Sequence, residues 1–165
     1  MRKDYEIILK LIPENSKVLD IGCSDGELIS YLENKGVSAQ GVELNQEKVI
    51  KCLEKGLDVI HGDINLIVED FPFNQFDYCL LTQTIQAVQK PDQLLNTLKK
   101  VSKNIIVSFN NSARLSKISN FLLSGSFDSL LKKADSDHWY NTDYIHPCSI
   151  KDFKKLAENL DLKII

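Results

Sequence analysis

Three acidic residues each follow a short apolar run in the first part of the chain: Asp20 in VLDIGCSDGELI, Glu43 in GVEL and Asp63 in GDI. The first stands beside a tight glycine turn, Gly22-Cys23-Ser24-Asp25-Gly26. Glycines between a strand and a helix commonly let a phosphate sit on the helix N-terminus. Here the neighbours of the turn disfavour that guest. A dinucleotide turn reads G-x-G-x-x-G, whereas Ser24 stands where its middle glycine is expected. Asp20 and Asp25 would also repel a diphosphate: at about 4 Å and an effective dielectric near 20, two like unit charges repel by roughly 4 kcal/mol.

A ligand with a positive end gains where a diphosphate loses. S-adenosylmethionine carries an ammonium and a sulfonium, and the three acids offer a partner to each of its parts. Asp20 suits the charged end, Glu43 can accept both ribose hydroxyls, and Asp63 can accept from the adenine amino group while a neighbouring backbone N–H donates to the ring. Each acid also has a plain structural reading: Asp20 as part of a strand exit, Glu43 as a cap of the following helix, Asp63 as a turn residue. Their order and spacing together favour the ligand.

The elements that must position these acids are legible from periodicity. Tyr5, Ile8, Leu9 and Ile12 recur at helical spacing ahead of Pro13, which predicts an N-terminal helix within residues 1–13. Strands are predicted at 17–21, 39–44, 59–61, 76–81 and 104–109, and helices at 26–35, 46–55 and 91–101, with Gly36 and Gly56 as stops and Pro91 at a first turn. Strands this apolar, alternating with helices of about ten residues, predict an α/β fold. Its sheet is mostly parallel, with helices on both faces and right-handed crossovers. Over 110–147 the rhythm breaks into an irregular segment with an apolar patch at 118–123 and the aromatic run His138-Trp139-Tyr140. Ser149-Ile150-Lys151-Asp152 predicts a capping box opening a last helix to about residue 160, and 161–165 (DLKII) reads as the start of a strand.

At 165 residues the chain is long enough for one domain around a single core, with 43% hydrophobic and 26% charged residues. A net charge of −3, a pI of about 5.6 and scattered lysines argue against a nucleic-acid face. No apolar run approaches the roughly 18 residues of a membrane span, and no secretory h-region is visible, so the expectation is a cytoplasmic protein. Cys23, Cys52, Cys79 and Cys148 form no C-x-x-C pair, so no metal is expected and buried, reduced thiols are.

The blocks VLDIGCSDG, GVE, GDI and FDYCLLTQTIQ resemble the class I S-adenosylmethionine-dependent methyltransferases over residues 16–109. That resemblance implies a Rossmann-like fold binding S-adenosylmethionine or S-adenosylhomocysteine. Asp20, Gly22, Cys23 and Ser24 would line the methionine end, Glu43 and Leu44 the ribose, Asp63 and Ile64 the adenine, and Thr82 and Gln83 the rim beyond the fourth strand. A closer resemblance covers nearly the whole chain. DGELISYL, GLDVIHGDI, FDYCLLTQTIQAVQKPDQLL, IIVSFNN and WYNTDYIHPCSIKDF are together similar to the MetW family of methionine biosynthesis proteins. TQTIQ counts most, because many small-molecule methyltransferases carry a histidine-containing turn there. This resemblance implies a partner role with homoserine O-acetyltransferase, MetX; a catalytic small-molecule methyltransferase is the alternative. Two departures from the family pattern stand out: Ser24 replaces a glycine of GCGDG, and the family usually continues past residue 165, so the final hairpin of the fold is expected to be incomplete.

Methyl transfer to oxygen or nitrogen often needs a base beside the acceptor. His146 and Tyr140 are the candidates, with His138 and Asp143 behind them. The same aromatic segment suits a packed lid or a partner surface, and that reading is favoured, since aromatic clusters carry much of the energy of interfaces. Nucleic-acid methylation has little support: Thr82-Gln83-Thr84-Ile85 stands where an N-P-P-Y-like tetrad would, and Pro147-Cys148 falls after the fifth strand rather than the fourth.

Overall fold

The computed structural model describes residues 1–127 and 145–165. Five strands, β1 (Lys17–Ile21), β2 (Ser38–Glu43), β3 (Val59–His61), β4 (Phe76–Thr82) and β5 (Ser102–Ser108), form one parallel sheet in the order β3-β2-β1-β4-β5. The helices are α1 (Lys3–Leu11), α2 (Glu27–Asn34), α3 (Gln46–Glu54), α4 (Ile64–Ile67), α5 (Pro91–Val101), α6 (Leu115–Ser124) and α7 (Ile150–Asn159). The direction of strand succession reverses at β1, which has β2 on one side and β4 on the other. An open parallel sheet forms its ligand crevice at such a switch point, beyond the carboxyl ends of the strands.

Strand alternation divides the apolar residues between two cores. Leu19 and Ile21 of β1 and Cys79 and Leu81 of β4 face α5, meeting Leu94, Leu95 and Leu98. Val18 and Leu80 face the other way, onto Ile8 of α1 and Leu28, Ile29 and Leu32 of α2. Each fully buried leucine or isoleucine contributes roughly 1.5–3 kcal/mol by leaving water, so both layers of helices are held firmly. Asp20 pairs in register with Leu80 and therefore belongs to the α1 and α2 face.

The predicted strands and helices of the first hundred residues fall within two residues of those observed. Three segments differ. The acidic stretch after β3 contains the short α4 and a 3-10 turn at Val68–Asp70, built because Ile64 and Val68 reach the core one turn apart. The segment expected to be irregular contains α6, whose Leu115, Ile118 and Leu122 recur at helical spacing and whose end is set by Gly125 in the left-handed region at φ +65°. Residues 161–165 do not form a strand among the described residues. Asp161 turns at φ +54° and the Leu162 N–H closes α7 on the Ala157 carbonyl at 2.9 Å, so Leu162 packs onto the core from a helix terminus. The capping box itself is formed: Ser149 Oγ accepts from the Asp152 N–H at 3.2 Å, and Asp152 accepts from the Ser149 N–H at 3.1 Å.

Candidate functional site

Asp20 ends deep in the sheet, 2% exposed, and its Oδ1 has no hydrogen-bond partner among the described residues. Burial pushes its carboxyl up from 3.8 to about 7; Arg2 opposes this and Glu43 adds to it. A buried acceptor without a partner carries a desolvation penalty of roughly 1–3 kcal/mol, more when charged. A group kept at that cost is a candidate for binding a cation.

The turn after β1 is held open in front of Asp20 by its neighbours. The Gly22 N–H donates to the Val42 carbonyl at 2.8 Å, and the Gly26 N–H to the Cys23 carbonyl at 3.0 Å. Gly22 has φ +72°, and a Cβ there would stand 2.7 Å from Thr84 Oγ1, whose hydroxyl donates to the Ile21 carbonyl at 2.9 Å. Gly22→Ala therefore combines backbone strain with overpacking and is expected to lower stability by about 2–4 kcal/mol, measurable by urea unfolding. Gly41, in register with Asp20 on β2, admits a close approach: a Cβ there would lie 2.6 Å from Cys23 Sγ and 2.7 Å from Ile29 Cδ1.

Glu43 has a double role. Its Oε2 accepts from the Ser24 N–H at 2.8 Å and its Oε1 from the Asn45 N–H at 2.9 Å. Ser24 sits at φ +55°, the left-handed conformation suited to a glycine, so the carboxylate fixes a conformation that serine alone disfavours. Each Glu43 oxygen retains acceptor capacity beyond its backbone partner. Cys23, whose thiol burial pushes up, and Cys52 lie behind this turn, and Cys52 Sγ reaches the Ser24 carbonyl at 3.3 Å.

Asp63 takes the plain role of a helix cap, Oδ1 accepting from the Asn65 N–H at 2.9 Å. Beside it, Ile64 is buried, whereas Leu44 is 66% exposed at the end of β2 and its carbonyl meets His61 Nε2 at 3.0 Å. Thr82 ends β4. Gln83 follows at φ +58°, its N–H donating to the Ser108 carbonyl at 2.9 Å. The strand-end residues Asp20, Gly22, Cys23, Ser24, Glu43, Leu44, Asp63, Ile64, Thr82 and Gln83 are thus brought to one edge of the sheet.

His146 is held on the segment that follows β4: its Nε2 lies 3.2 Å from the Gln89 carbonyl, and its backbone N–H donates to the Gln86 carbonyl at 3.0 Å. Tyr140, His138 and Asp143 lie outside the described residues. A cavity of about 240 Å³ opens between α4 and α5, lined by Asn65, Gln89, Lys90, Gln93 and Thr97 among others, and no strand-end acid reaches it. Sequence reasoning missed Arg2, Asp4 and Thr84 around the crevice, and Gln86, 2% exposed, whose Oε1 accepts from the Asn110 N–H at 2.9 Å. Thr84 and Gln86 lie within the TQTIQ signal; Asp4 carries none, since Gln83 and Ser108 are remote from it in sequence, and Arg2 bonds only its neighbours Asp4 and Tyr5. Among the described residues no three metal-binding side chains converge, and no helix is long and apolar enough to cross a membrane.

A parallel sheet in this order, with an acid in or just after the last residues of three successive strands and a glycine turn after the first, is the fold of the class I S-adenosylmethionine-dependent methyltransferases. Solved structures agree in fold. A SAM-dependent methyltransferase from Methanosarcina mazei matches with a TM-score of 0.71 at 17% identity, over 93% of this chain and 82% of its own. One from Archaeoglobus fulgidus matches at 0.69 and 20% identity, over 94% and 68%. The plantazolicin methyltransferase BpumL, solved in complex with SAH, matches at 0.67 and 19% identity, over 95% and 59%. Within that class, the family described as methionine biosynthesis protein MetW matches residues 2–165, and the chain belongs to it. A relative from Rhodopirellula baltica, the bifunctional methionine biosynthesis protein MetXA/MetW, is 32% identical over 170 residues, covering 98% of this chain. The chain spans only 27% of that relative's length.

Proposed function

We propose that the chain binds S-adenosylmethionine or S-adenosylhomocysteine at the carboxyl edge of its sheet and acts in methionine biosynthesis as a partner of homoserine O-acetyltransferase. The observation that carries the ligand is Asp20, a buried carboxylate with an unpartnered oxygen beside a left-handed turn. It suits the ammonium of the methionine arm, with Gly22, Cys23 and Ser24 around it. The spare acceptor capacity of Glu43 suits the ribose, Leu44 offers apolar surface, Asp63 and Ile64 suit the adenine, and Thr82 and Gln83 form the rim. Support for the partner comes from the relative whose name joins MetXA and MetW in one chain.

Calorimetric titration with both nucleosides tests the ligand, with micromolar binding expected; no heat from either, in folded protein, removes that half of the reading. Co-expression with the homoserine O-acetyltransferase of the same organism tests the other half. The expected result is co-purification and a rise in acetyl transfer. Independent elution together with unchanged transfer would remove the partner role.

The alternative, a catalytic small-molecule methyltransferase, is favoured by the likeness of fold alone. It needs a base near the sulfonium, and the His146 ring is engaged at the Gln89 carbonyl. Tritium transfer from labelled S-adenosylmethionine to small acceptors, lost in His146→Ala, would favour that alternative.

A further inference from the structure

The cavity between α4 and α5 lies away from the strand-end acids and has a chemistry of its own. Its floor is apolar: Val68, which opens the 3-10 turn after α4, and Leu94, one turn into α5, are both buried in the core. Its mouth is charged. Glu69 stands on the α4 side and Lys90, the residue before α5, on the other, and both are exposed. Although they border one cavity, the two form no salt bridge with each other, and neither side chain has a hydrogen-bond partner among the described residues. The carboxamides of Gln89 and Gln93, beside Lys90, are likewise without partners there and offer neutral donors and acceptors.

The walls are anchored. Helix α5 is fixed through Leu94, Leu95 and Leu98 in the core, and Val68 holds the opposite wall. The loop that delivers Lys90 is pinned from the far end of the chain: the Gln86 carbonyl accepts from the Ile145 and His146 N–H groups, each at 3.0 Å, and His146 Nε2 lies 3.2 Å from the Gln89 carbonyl. A cavity already formed costs little ordering to fill. Size narrows the guest. Sites for drug-sized ligands run to about 300–1,000 Å³, so a cavity of about 240 Å³ suits a single amino acid better than a nucleoside. Charge narrows it further, since a simple anion or cation satisfies one of the two side chains and leaves the other unmatched.

We propose that this cavity is a second ligand site, for a free α-amino acid with an uncharged side chain. Lys90 takes the carboxylate, Glu69 the ammonium, and Val68 and Leu94 receive the side chain. The site is separate from the crevice at Asp20 and stands without the cofactor reading. Methionine is the probe to use, because the family to which the chain belongs is one of methionine biosynthesis proteins.

The test is a chemical-shift titration of isotope-labelled wild type, Lys90→Ala, Glu69→Ala and Asp20→Asn. The probes are L-methionine, its methyl ester, which lacks the carboxylate, and deaminated methionine, which lacks the ammonium. Binding of L-methionine is expected at about 0.1–1 mM, the affinity of two partly solvated charge pairs over an apolar floor. The shifted amides should lie within 65–69 and 89–97. Lys90→Ala and Glu69→Ala should each weaken L-methionine by about fivefold, the upper range for an exposed charge pair, whereas Asp20→Asn should not change it. The ester should bind weakly and lose less than about twofold more in Lys90→Ala, and the deaminated acid should behave in the same way towards Glu69→Ala. Absence of shifts in these segments at millimolar L-methionine overturns the proposal. So does binding lost in Asp20→Asn and kept in Lys90→Ala, which places the amino acid in the crevice. Equal weakening of all three probes by Lys90→Ala makes Lys90 a support for the loop and overturns it too.

Discussion

An Asp20→Asn variant should be more stable than wild type at pH 8 and unable to bind ligand. The two effects have one cause. The Asp20 carboxyl moves from 3.8 to about 7 on folding, chiefly through burial. A raised carboxyl favours the folded state only while it stays protonated there, so stability from this group is complete below pH 4. It declines as pH rises between about 4 and 7, where the unfolded chain ionises first, and above pH 7 the loss is complete. At about 1.4 kcal/mol per pH unit, the loss over that span reaches at most about 4 kcal/mol. Asparagine is neutral throughout, so the variant should lack this component of the decline and gain on wild type progressively from pH 4 to pH 8. Thermal unfolding at both pH values checks it, with about 2–4 °C of Tm expected per kcal/mol in a chain of this size. An equal difference from wild type at pH 4 and pH 8 would contradict the assignment.

Glu43→Ala should have the opposite effect on stability and the same effect on binding. The substitution leaves the Ser24 and Asn45 N–H groups without their acceptor and frees a serine backbone held at φ +55°. Hydrogen bonds to a charged group are worth about 1.5–3 kcal/mol each, and water regained at the opened turn offsets part of this, so a loss of about 2–4 kcal/mol is expected. Adding Ser24→Gly to Glu43→Ala should restore about 1 kcal/mol, because glycine accepts the left-handed turn without the clamp. Denaturant unfolding of the single and double variants measures both steps. If Ser24→Gly raises stability equally in wild type and in Glu43→Ala, the clamp and the turn are not coupled.

The sheet, its order of helices and the three strand-end acids were legible because each depends on neighbours close in sequence: apolar runs, glycine stops and the spacing of VLDIG, GVE and GDI. What remained hidden depends on distance. Nothing near Arg2 or Asp4 announces Gln83 or Ser108, 79 and 104 residues from Asp4. Glu43 reads as a ribose acceptor or a cap, whereas its hold on Ser24 joins two loops 19 residues apart and leaves no local trace. The helix at Leu115–Ser124 is hidden in the sequence because its apolar residues form one short patch amid polar neighbours, although they recur every three or four positions. DLKII looked like a strand because alternation cannot tell a sheet partner from a helix end folded back onto the core.

The strand order also bears on how the protein is made. As synthesis proceeds, β1, β2 and β3 emerge consecutively and pair as neighbours, so three of the five strands can assemble from local contacts. The floor of the crevice waits longer. Thr84 must return to Ile21, and Ser108 to Asp4, before the turn at Gly22 and the start of α1 are fastened. Loop closure over such separations is slow compared with pairing of adjacent elements. A nascent chain therefore leaves one edge of β1 without its strand neighbour until β4 has emerged, and the crevice closes only after β5 follows.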